Sequence, residues 1–346
     1  MNAAPIREIS LILVSWRDAD QVEACVASLA DARQKIPARG PRVTVLVVDN
    51  GGGLREGAPN LSRWRDVQVI VNETNRGLAA AANQAAARAF GDVLVFLNPD
   101  TRPDGEPFSA IGRVFETHPE AAAVAPRLLD MRSEAPGSSR LAPPDREDQF
   151  TFQLRRLPTL ASDARQLLLV DHVFPNNSGR RRDRYADLDR ESSFPVEQAA
   201  GAALAVRRDV FAAIGGFDER FTPAWFEDVD LCDRLGKRGK ILYWPGARFR
   251  HVGGVSSRTL GYARFLPIYY RNALLYRERY SARARWLYRG LLAVGMGLRL
   301  LALPFRPNVP RSRSEAALAY VRTLGLALGR SPVDPEALAS ISPAQK

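Results

Sequence analysis

Short apolar runs in the first third of the chain alternate with stretches of helical periodicity. The runs are typical of strands buried on both faces, and they cover Ile9–Trp16, Val43–Val48, Val67–Val71, Asp92–Leu97 and Ala121–Ala125. Helices are predicted between them, around Val22–Leu29 and over Leu78–Phe90. Strands that alternate with helices indicate an α/β fold with a mostly parallel sheet flanked by helices. In such sheets, ligands bind beyond the carboxyl ends of the strands.

The pattern changes after residue 130. Residues 131–195 are rich in Pro, Arg, Ser and Asp, and their weak periodicity predicts a long, partly irregular insertion over the site. Order returns in three predicted elements: a strand over Val196–Val206, a short helix from Asp209 to Gly215-Gly216, and a strand over Ile241–Trp244. From Tyr262 onward the pattern is helical and basic. We therefore expect one domain over residues 1–260 and a basic helical region over residues 261–346.

The composition is that of a globular protein, with 46% hydrophobic and 25% charged residues among 346. The two cysteines, Cys25 and Cys232, lie far apart in unrelated contexts, so neither a disulfide framework nor a zinc-finger spacing is expected. The segment Met1–Glu8 is short and polar and does not resemble a signal peptide. A cytoplasmic location is therefore expected.

Positive charge is concentrated near the end of the chain. The net charge is +11, and residues 250–313 hold thirteen arginines and a single acid, Glu278. Such a segment favours phosphate-bearing partners: nucleic acid, an anionic membrane surface or a lipid-linked diphosphate. No nucleic-acid-binding motif is present, so we expect no nucleic-acid partner.

One apolar stretch lies inside this basic region. Leu287–Phe305 is interrupted by Arg289 and Arg299, which favours an interfacial amphipathic helix over a membrane span. Peripheral attachment to the inner face of the cytoplasmic membrane is one interpretation. The other is a soluble helical subdomain, or a homodimer that forms through the C-terminal helices.

Polar residues follow the predicted strands where a ligand would bind. Ser15 and Trp16 end the first strand, and Asp49-Asn50 end the second, followed by three glycines. A carboxylate at a strand end can accept a hydrogen bond from the imide N–H of uracil or thymine, and glycines allow close approach. An ordinary strand-to-loop turn explains the same residues equally well.

A second polar group precedes the alanine-rich helix. Small residues and free N–H groups at a helix start suit phosphate, and Arg76 adds charge between Asn75 and Gly77. Asn83 lies one turn into the same helix. Simple helix capping is the competing interpretation.

Two distant residues are candidate metal ligands. Asp100, in Asn98-Pro99-Asp100, would offer oxygen to Mg²⁺ or Mn²⁺, and Asn98 would bind weakly or contact the nucleotide. His251 precedes two glycines and would complete the metal shell as a neutral imidazole. The alternatives are an Asx-Pro turn and a structural histidine.

The strongest candidate for acid–base chemistry is an acidic segment. Four carboxylates fall within residues 227–233, directly after Trp225 and Phe226. On a helix, Asp228 points about 100° away from Glu227 and can enter a cleft as a general base. The aromatics and Glu227 would then face the acceptor, and Gly201 would let the donor lie close on its strand. The competing interpretation is that all four acids complement the helix dipole.

These motifs, in this order, resemble glycosyltransferase family 2 and its bacterial rhamnosyltransferase-like branch over residues 8–280. The matching residues are Val14-Ser15-Trp16, Val47-Val48-Asp49-Asn50, Asn75-Arg76-Gly77, Asn83, Leu97–Thr101, Gly201, Arg207-Arg208, Gly215–Glu219, Glu227–Leu231 and His251. The resemblance implies a GT-A fold, a nucleotide-sugar donor, Mg²⁺ or Mn²⁺, and inversion at the anomeric carbon. It also implies that Asp49 contacts the base and that Asn98-Pro99-Asp100 stands for the DXD motif.

Roles for two further residues follow from the resemblance: Asp228 as the catalytic base and His251 as a metal or diphosphate ligand. The chain departs from the family pattern at Asn98, which replaces the first acid of the DXD motif, and at the glycines after Asn50. The expected function is transfer of a rhamnose-like deoxyhexose or a hexose to a glycan or lipid-diphosphate-linked acceptor, in cell-surface polysaccharide assembly. A non-catalytic nucleotide-binding scaffold and a basic nucleic-acid-binding protein are the alternatives.

Overall fold

The computed structural model describes residues 4–54, 58, 61, 64, 66–131, 149–253, 260–306 and 312–330. The strands in these ranges are β1 (Glu8–Ser15), β2 (Arg42–Asn50), β3 (Val67–Asn72), β4 (Val93–Leu97), β5 (Thr101–Pro103), β6 (Ala121–Asp130), β7 (Leu154–Arg155), β8 (Phe194–Val196), β9 (Gln198–Ala199), β10 (Ala203–Arg207) and β11 (Lys240–His251). The helices are α1 (Ala19–Gln34), α2 (Leu78–Ala86), α3 (Phe108–Thr117), α4 (Phe150–Gln153), α5 (Leu160–Leu167), α6 (Val170–Val173), α7 (Ser178–Asp183), α8 (Arg208–Ala213), α9 (Glu227–Gly236), α10 (Tyr262–Tyr276), α11 (Ala282–Ala302) and α12 (Arg313–Ala327). Two 3₁₀ turns cover Arg277–Arg279 and Leu303–Phe305.

A mixed sheet forms the centre of the molecule. Within the described ranges its strand order is β3-β2-β1-β4-β10-β6-β11-β5, and β8 pairs with β11 outside this path. The strands β3, β2, β1 and β4 are parallel, whereas β10 is antiparallel to both of its neighbours. The predicted α/β sheet is confirmed, and its parallel half places the carboxyl ends of β1, β2 and β4 at one edge.

Apolar side chains cover both faces of this sheet. Helix α1 packs on one face through Val22, Val26 and Leu29, all essentially inaccessible to solvent. On the other face, the buried alanines of α2 lie against β1 and β2. Alanine side chains are short, so this helix can sit close to the strands and bring its first turn near the strand ends.

Two predicted elements end differently in the structure. The predicted strand over Val196–Val206 is split into β8, β9 and β10, because the chain turns at Gly201-Ala202 and moves between sheets. The predicted helix Leu78–Phe90 ends at Ala86. It gives way to a turn in which Gly91 donates a hydrogen bond to Ser10 at 3.0 Å.

The described part of the insertion, residues 149–195, contains short helices and the strand β7, which pairs with β9. It shares one apolar cluster with the C-terminal helices, where Leu167 packs among residues of α10 and α11. A buried ion pair between Asp163 and Arg277 also joins the two regions. The predicted division of the chain at residue 260 stays a prediction.

Candidate functional site

The polar residues predicted at the strand ends lie together at one edge of the sheet. Ser15 is opposite Asp49 in the register of β1 and β2, and Leu13 is opposite Leu97 of β4. Ser15 Oγ donates to Asp18 Oδ1 at 2.7 Å, and the Trp16 N–H donates to the same oxygen at 3.0 Å. Asp18, which the sequence analysis missed, therefore orders the loop after β1.

The pKa of Asp18 links this loop to the other strand ends. Burial is the largest influence and raises that pKa, while the hydrogen bonds from Ser15 and Trp16 act in the opposite direction. The negative charge of Asp100 raises it further. The loop after β1 and the loop after β4 therefore lie within electrostatic reach of one another.

Asp49 and Asn50 are buried at the end of β2. Asp49 Oδ2 accepts from the Leu54 N–H at 3.2 Å. The amide of Asn50 donates to Asn75 Oδ1 at 2.9 Å and to the Gly77 carbonyl at 3.2 Å. Asn50 thus ties the end of β2 to the segment before α2.

The backbone of that segment is already satisfied. The N–H groups of Arg76 and Gly77 donate to the side chains of Asn50 and Asn75, at 3.0 and 2.8 Å, and the Leu78 N–H donates to the Pro223 carbonyl at 2.7 Å. These three N–H groups are therefore not free for a phosphate, while the helix start has no side-chain cap, and the predicted donor contact of this segment stays a prediction. The Arg76 side chain is exposed and makes no ion pair with the described residues.

Asn83 holds a distant loop. Its amide group donates to the Phe217 carbonyl at 2.9 Å and to Glu219 at 3.0 Å, and its oxygen accepts from the Phe217 N–H at 2.9 Å. Both amide protons are therefore used. The side chain thereby fixes the loop that leads toward α9, and the predicted donor contact of Asn83 stays a prediction.

Asp100 and His251 meet, although 151 positions separate them in the chain. Strand β11 pairs with β5, placing His251 opposite Thr101, and His251 Nε2 lies 3.3 Å from Asp100 Oδ1. The Gly253 N–H donates to Asp100 Oδ2 at 3.1 Å. Burial pushes the pKa of Asp100 upward, but the contact with His251 and the Gly253 N–H outweigh it, so the pKa lies below its usual value.

Gln149, which the sequence analysis missed, orients the imidazole. Its amide nitrogen donates to the His251 carbonyl at 2.8 Å, so its oxygen faces His251 Nδ1, also at 2.8 Å. Nδ1 must therefore carry a proton, because an amide oxygen only accepts. In a neutral ring, the lone pair of Nε2 would then point at the Asp100 carboxylate, an arrangement that needs a proton or a metal ion between the two.

The distance between Asp100 Oδ1 and His251 Nε2 fits two ligands of one divalent cation. Neighbouring ligands at ~2.1 Å from one ion are roughly 3 Å apart, close to the observed 3.3 Å. The half-buried Asn98 makes no side-chain hydrogen bond within the described ranges and offers a third oxygen. No cluster of three or more His, Cys, Asp or Glu side chains occurs in those ranges, so further ligands would come from substrate phosphate or water.

The turn between β9 and β10 connects this pair to the acidic helix. The Asn98 N–H donates to the Ala202 carbonyl at 3.0 Å, and the adjacent Gly201 N–H donates to Asp228 Oδ2 at 3.2 Å. A side chain at position 201 would contact the Cβ of Asp228 at 3.5 Å. The turn therefore brings Asp228 to the same side of the sheet as Asp100.

Two acids of the segment, Glu227 and Asp228, have raised pKa values. Burial raises the pKa of Asp228, although hydrogen bonds from the N–H groups of Gly201 and Val229 and the charge of Arg155 oppose the increase. Burial, together with the charge of Asp228, raises the pKa of Glu227 well above its usual value. One oxygen of Glu227 has no hydrogen-bond partner. Two acids held in this way are poised to bind protons.

Asp230 and Asp233 pair with basic residues instead. Asp230 contacts Arg234 at 2.6 Å, Asp233 contacts Lys237 at 3.3 Å, and both acids contact Arg279. The contacts with Arg234 and Lys237 lie within α9, whereas Arg279 comes from the 3₁₀ turn after α10.

The two aromatics before α9 adopt a strained backbone. Trp225 and Phe226 have φ values of 74° and 71°, in the left-handed region that bulky residues rarely occupy. The Phe226 ring is 5% exposed and packs against Tyr269 and Tyr276, and Trp225 packs on Phe265. The C-terminal helices thus hold in place the turn that presents Asp228.

Comparison with known proteins gives a family match and relatives. The family model for glycosyl transferase family 2 matches residues 10–188. The chain is 27% identical over 324 residues to the N-acetylglucosaminyl-diphospho-decaprenol L-rhamnosyltransferase of Mycobacterium tuberculosis, covering 88% of this chain and 95% of that protein. It is 26% identical to the pre-mycofactocin glycosyltransferase of the same organism, covering 71% of this chain and 43% of that protein.

Solved structures share the fold at 13% identity. GalNAc-T7 with UDP, GalNAc and Mn²⁺ gives a TM-score of 0.53 and covers 98% of this chain. The present chain spans 59% of the length of that structure. The mannosyltransferase PcManGT from Pyrobaculum calidifontis, in complex with GDP-Man and Mn²⁺, gives a TM-score of 0.51 over 97% of this chain and 80% of its own. These likenesses confirm the predicted GT-A fold.

Proposed function

Because the chain belongs to glycosyl transferase family 2, we propose that it moves a sugar from a nucleotide diphosphate to an acceptor hydroxyl, with inversion at the anomeric carbon. The observation that carries the proposal is the turn at Gly201-Ala202, which joins Asp228 to the loop of Asn98 and Asp100. A half-buried carboxylate with a raised pKa then lies on the same side of the sheet as a pair suited to a cation.

The donor would occupy the edge formed by β1, β2 and β4. Asp49 is buried at the end of β2, and Ser15 and Trp16 are fixed by Asp18 at the end of β1. Since the mycobacterial relative is an L-rhamnosyltransferase, we expect deoxythymidine-diphosphate-linked rhamnose first, with other nucleotide hexoses as competitors. The acceptor would be a glycan or a lipid-linked diphosphate, in cell-surface polysaccharide assembly.

In this mechanism Asp228 removes the proton from the acceptor hydroxyl as the oxygen attacks the anomeric carbon. The bond to the donor diphosphate breaks on the opposite face, and the proton stays on an oxygen of Asp228. Burial raises the pKa of this carboxyl and so makes it a stronger base. The N–H groups of Gly201 and Val229 fix its orientation, at 3.2 and 2.8 Å.

A Mg²⁺ or Mn²⁺ ion would be held by Asp100 and His251, with Asn98 as a weaker ligand. The ion would neutralise charge that develops on the leaving diphosphate. Gln149 fixes the imidazole, so that Nε2 faces Asp100. Because the imidazole of His251 is already oriented, it needs little rearrangement when the metal ion and the donor bind.

Helix α11 supports attachment to a membrane surface. Residues 282–305, which are α11 and the 3₁₀ turn after it, are long and apolar enough to cross a bilayer by length and composition, and 28% of their apolar 18-residue window is buried. The two arginines within its apolar stretch point into the protein: Arg289 donates to the Leu326 carbonyl at 3.1 Å and Arg299 to the Leu167 carbonyl at 2.7 Å. The opposite face is an exposed apolar stripe of Leu287, Val294, Leu298, Leu301 and Phe305.

A helix packed on one side and apolar on the other fits the interface of a bilayer better than a span. Flotation with vesicles that contain anionic lipid tests this proposal. Wild-type protein is expected to float, whereas a variant with Leu301→Glu and Phe305→Glu stays in solution. Equal flotation of the two would contradict it, and a dimer that this variant dissociates would assign the stripe to a second copy instead.

A donor panel tests the catalytic proposal. Purified protein is mixed with Mn²⁺, one of several nucleotide sugars and a short-chain prenyl-diphosphate-linked N-acetylglucosamine, and both nucleoside diphosphate and the new glycoside are measured. Equal amounts of the two products are expected from one preferred donor. Nucleotide binding without turnover for every donor would favour the non-catalytic scaffold. Salt-sensitive binding to random DNA without nucleotide binding would favour the nucleic-acid protein.

A further inference from the structure

A cavity of about 380 Å³ lies between the insertion and the C-terminal helices. Its basic lining includes Arg155, Arg180, Arg184, Arg299 and Arg306. The cavity that these five arginines line is called the arginine cavity. Arginine side chains bind phosphate oxygens through two parallel hydrogen bonds.

The carboxylates in the same wall form their ion pairs with arginines outside the lining. Asp163 is paired with Arg277, and both Asp171 and Asp183 are paired with Arg165. Neither of those two arginines lines the cavity. The lining carboxylates therefore form no ion pair with the arginine cavity, although the charge of Asp171 still acts on Arg184.

Two members of the cavity form no ion pair within the described ranges. Arg155 and Arg184 are half-buried and make no ion pair or side-chain hydrogen bond there, and Arg155 Nε is buried without an acceptor. Burial first, and then the charges of Arg155 and Arg180, lower the pKa of Arg184 to about 10, although the charge of Asp171 opposes the decrease. Like charges that repel at a half-buried site reduce stability unless an anion compensates them.

The arginine cavity lies beside the proposed base. Phe226 and Val229, which flank Asp228 in the chain, are part of its wall. Arg155 belongs to β7, which pairs with β9 just before Gly201. The cavity thus lies beside the start of α9, which carries Asp228.

Three exposed apolar side chains are next in the chain to lining residues of the cavity, and they are called its rim. His172 and Arg306 both line it and lie 3.5 Å apart. Directly beside them in the chain are Val173, Phe174 and Phe305, which are 63%, 63% and 85% exposed. Phe305 is also the end of the apolar stripe of α11. A ligand that combines a buried anion with an apolar chain matches this arrangement.

We propose that the arginine cavity binds the diphosphate group of a lipid-linked acceptor, with the lipid leaving along the rim. This assignment rests on the proposed function and adds where the acceptor is held. It also gives Arg155 a specific role. Its guanidinium would bind the diphosphate, and its charge already acts on the carboxylate of Asp228. Binding of the acceptor would satisfy the charges that repel one another in the free protein.

The test measures affinity without turnover. Farnesyl diphosphate, farnesol and inorganic pyrophosphate are titrated into the full chain by calorimetry, and deoxythymidine diphosphate is titrated separately. The variant carries Arg155→Gln and Arg184→Gln. The control is Arg181→Gln on α7, because Arg181 is exposed, lies outside the cavity and pairs with the exposed Asp187.

Farnesyl diphosphate is expected to bind the wild type and the control equally, and the double variant at least tenfold more weakly. Deoxythymidine diphosphate should bind all three equally. The double variant should unfold at the same temperature as the wild type or a higher one, since repulsion is removed; a clear decrease would show that the arginines are structural and overturn the proposal.

Unchanged affinity of the double variant for farnesyl diphosphate would also overturn it, as would binding of farnesol with equal strength. Pyrophosphate that binds as tightly as farnesyl diphosphate would overturn the lipid assignment and leave a site for free diphosphate. Failure of glycosyl transfer is a separate outcome: a wild type that binds farnesyl diphosphate in this cavity but turns over no donor contradicts the proposed function alone.

Discussion

The substitution Gln149→Leu tests whether the histidine is held ready for a metal. Gln149 is 9% exposed, and its amide makes both of its contacts with His251, one to Nδ1 and one to the carbonyl, each at 2.8 Å. Leucine fills a similar volume but can neither donate nor accept. The imidazole then loses the hydrogen bond that fixes the orientation of its ring and keeps the proton on Nδ1.

The expected effect has two parts. Removing a hydrogen-bond partner from a metal-ligating histidine typically reduces metal affinity ~10–100-fold, which is ~1.4–2.7 kcal/mol at ~1.36 kcal/mol per tenfold change. The substitution also leaves two polar groups of His251 unsatisfied, at a cost of ~1–3 kcal/mol each in stability. A control is therefore needed that loses stability in the same way without touching the histidine.

Gln153 provides that control. It is 1% exposed, lies four residues further along the same segment, and also makes two bonds to backbone, with Leu128 and Pro126. Both variants are titrated with Mn²⁺ in the presence of nucleoside diphosphate, and free Mn²⁺ is measured by electron paramagnetic resonance. Gln149→Leu should bind Mn²⁺ more weakly and Gln153→Leu like the wild type. Equal Mn²⁺ affinity of all three proteins would refute the reasoning.

Further predictions concern stability and pH. Asp163→Ala leaves Arg277, which is 1% exposed, without its carboxylate, so the free energy of unfolding in urea should fall by ~3–5 kcal/mol. The control is Asp187→Ala, which removes the exposed partner of Arg181 and should cost no more than ~1 kcal/mol. Equal losses in the two variants would contradict the pairing of Asp163 with Arg277. Because burial raises the pKa of Asp228 above 3.8 and the base acts when ionised, kcat/KM should increase with pH through that raised pKa. A profile that is flat above pH ~4 would argue against Asp228 as the base.

The parts of the fold that follow from local pattern were predicted well. The buried strands β1, β2 and β4 are apolar on both faces, so their positions and the polar residues after them can be read from the sequence. Asp100 and His251 were predicted as partners through the family resemblance, and the structure brings them to 3.3 Å. Strand pairing between β5 and β11 accounts for that contact.

What could not be predicted depends on contacts between distant segments. Gln149 lies in a segment without periodicity, and nothing in its neighbours indicates that it faces a histidine 102 positions away. Asn83 lies at a helix start that suits phosphate, yet a loop far along the chain uses its amide. The arginine cavity also needs two regions to meet, so the sequence showed only that the C-terminal region is basic.

The most direct test of the central claim is Asp228→Asn, assayed for turnover and for donor binding in the same preparation. The change keeps the shape of the side chain and removes the base, so turnover should fall ~10²–10⁴-fold, while the dissociation constant of the nucleoside diphosphate stays within about twofold. Asp233→Asn, on the same helix but paired with Lys237 and Arg279, serves as the control and should keep its turnover. Near-normal turnover by Asp228→Asn would contradict the account.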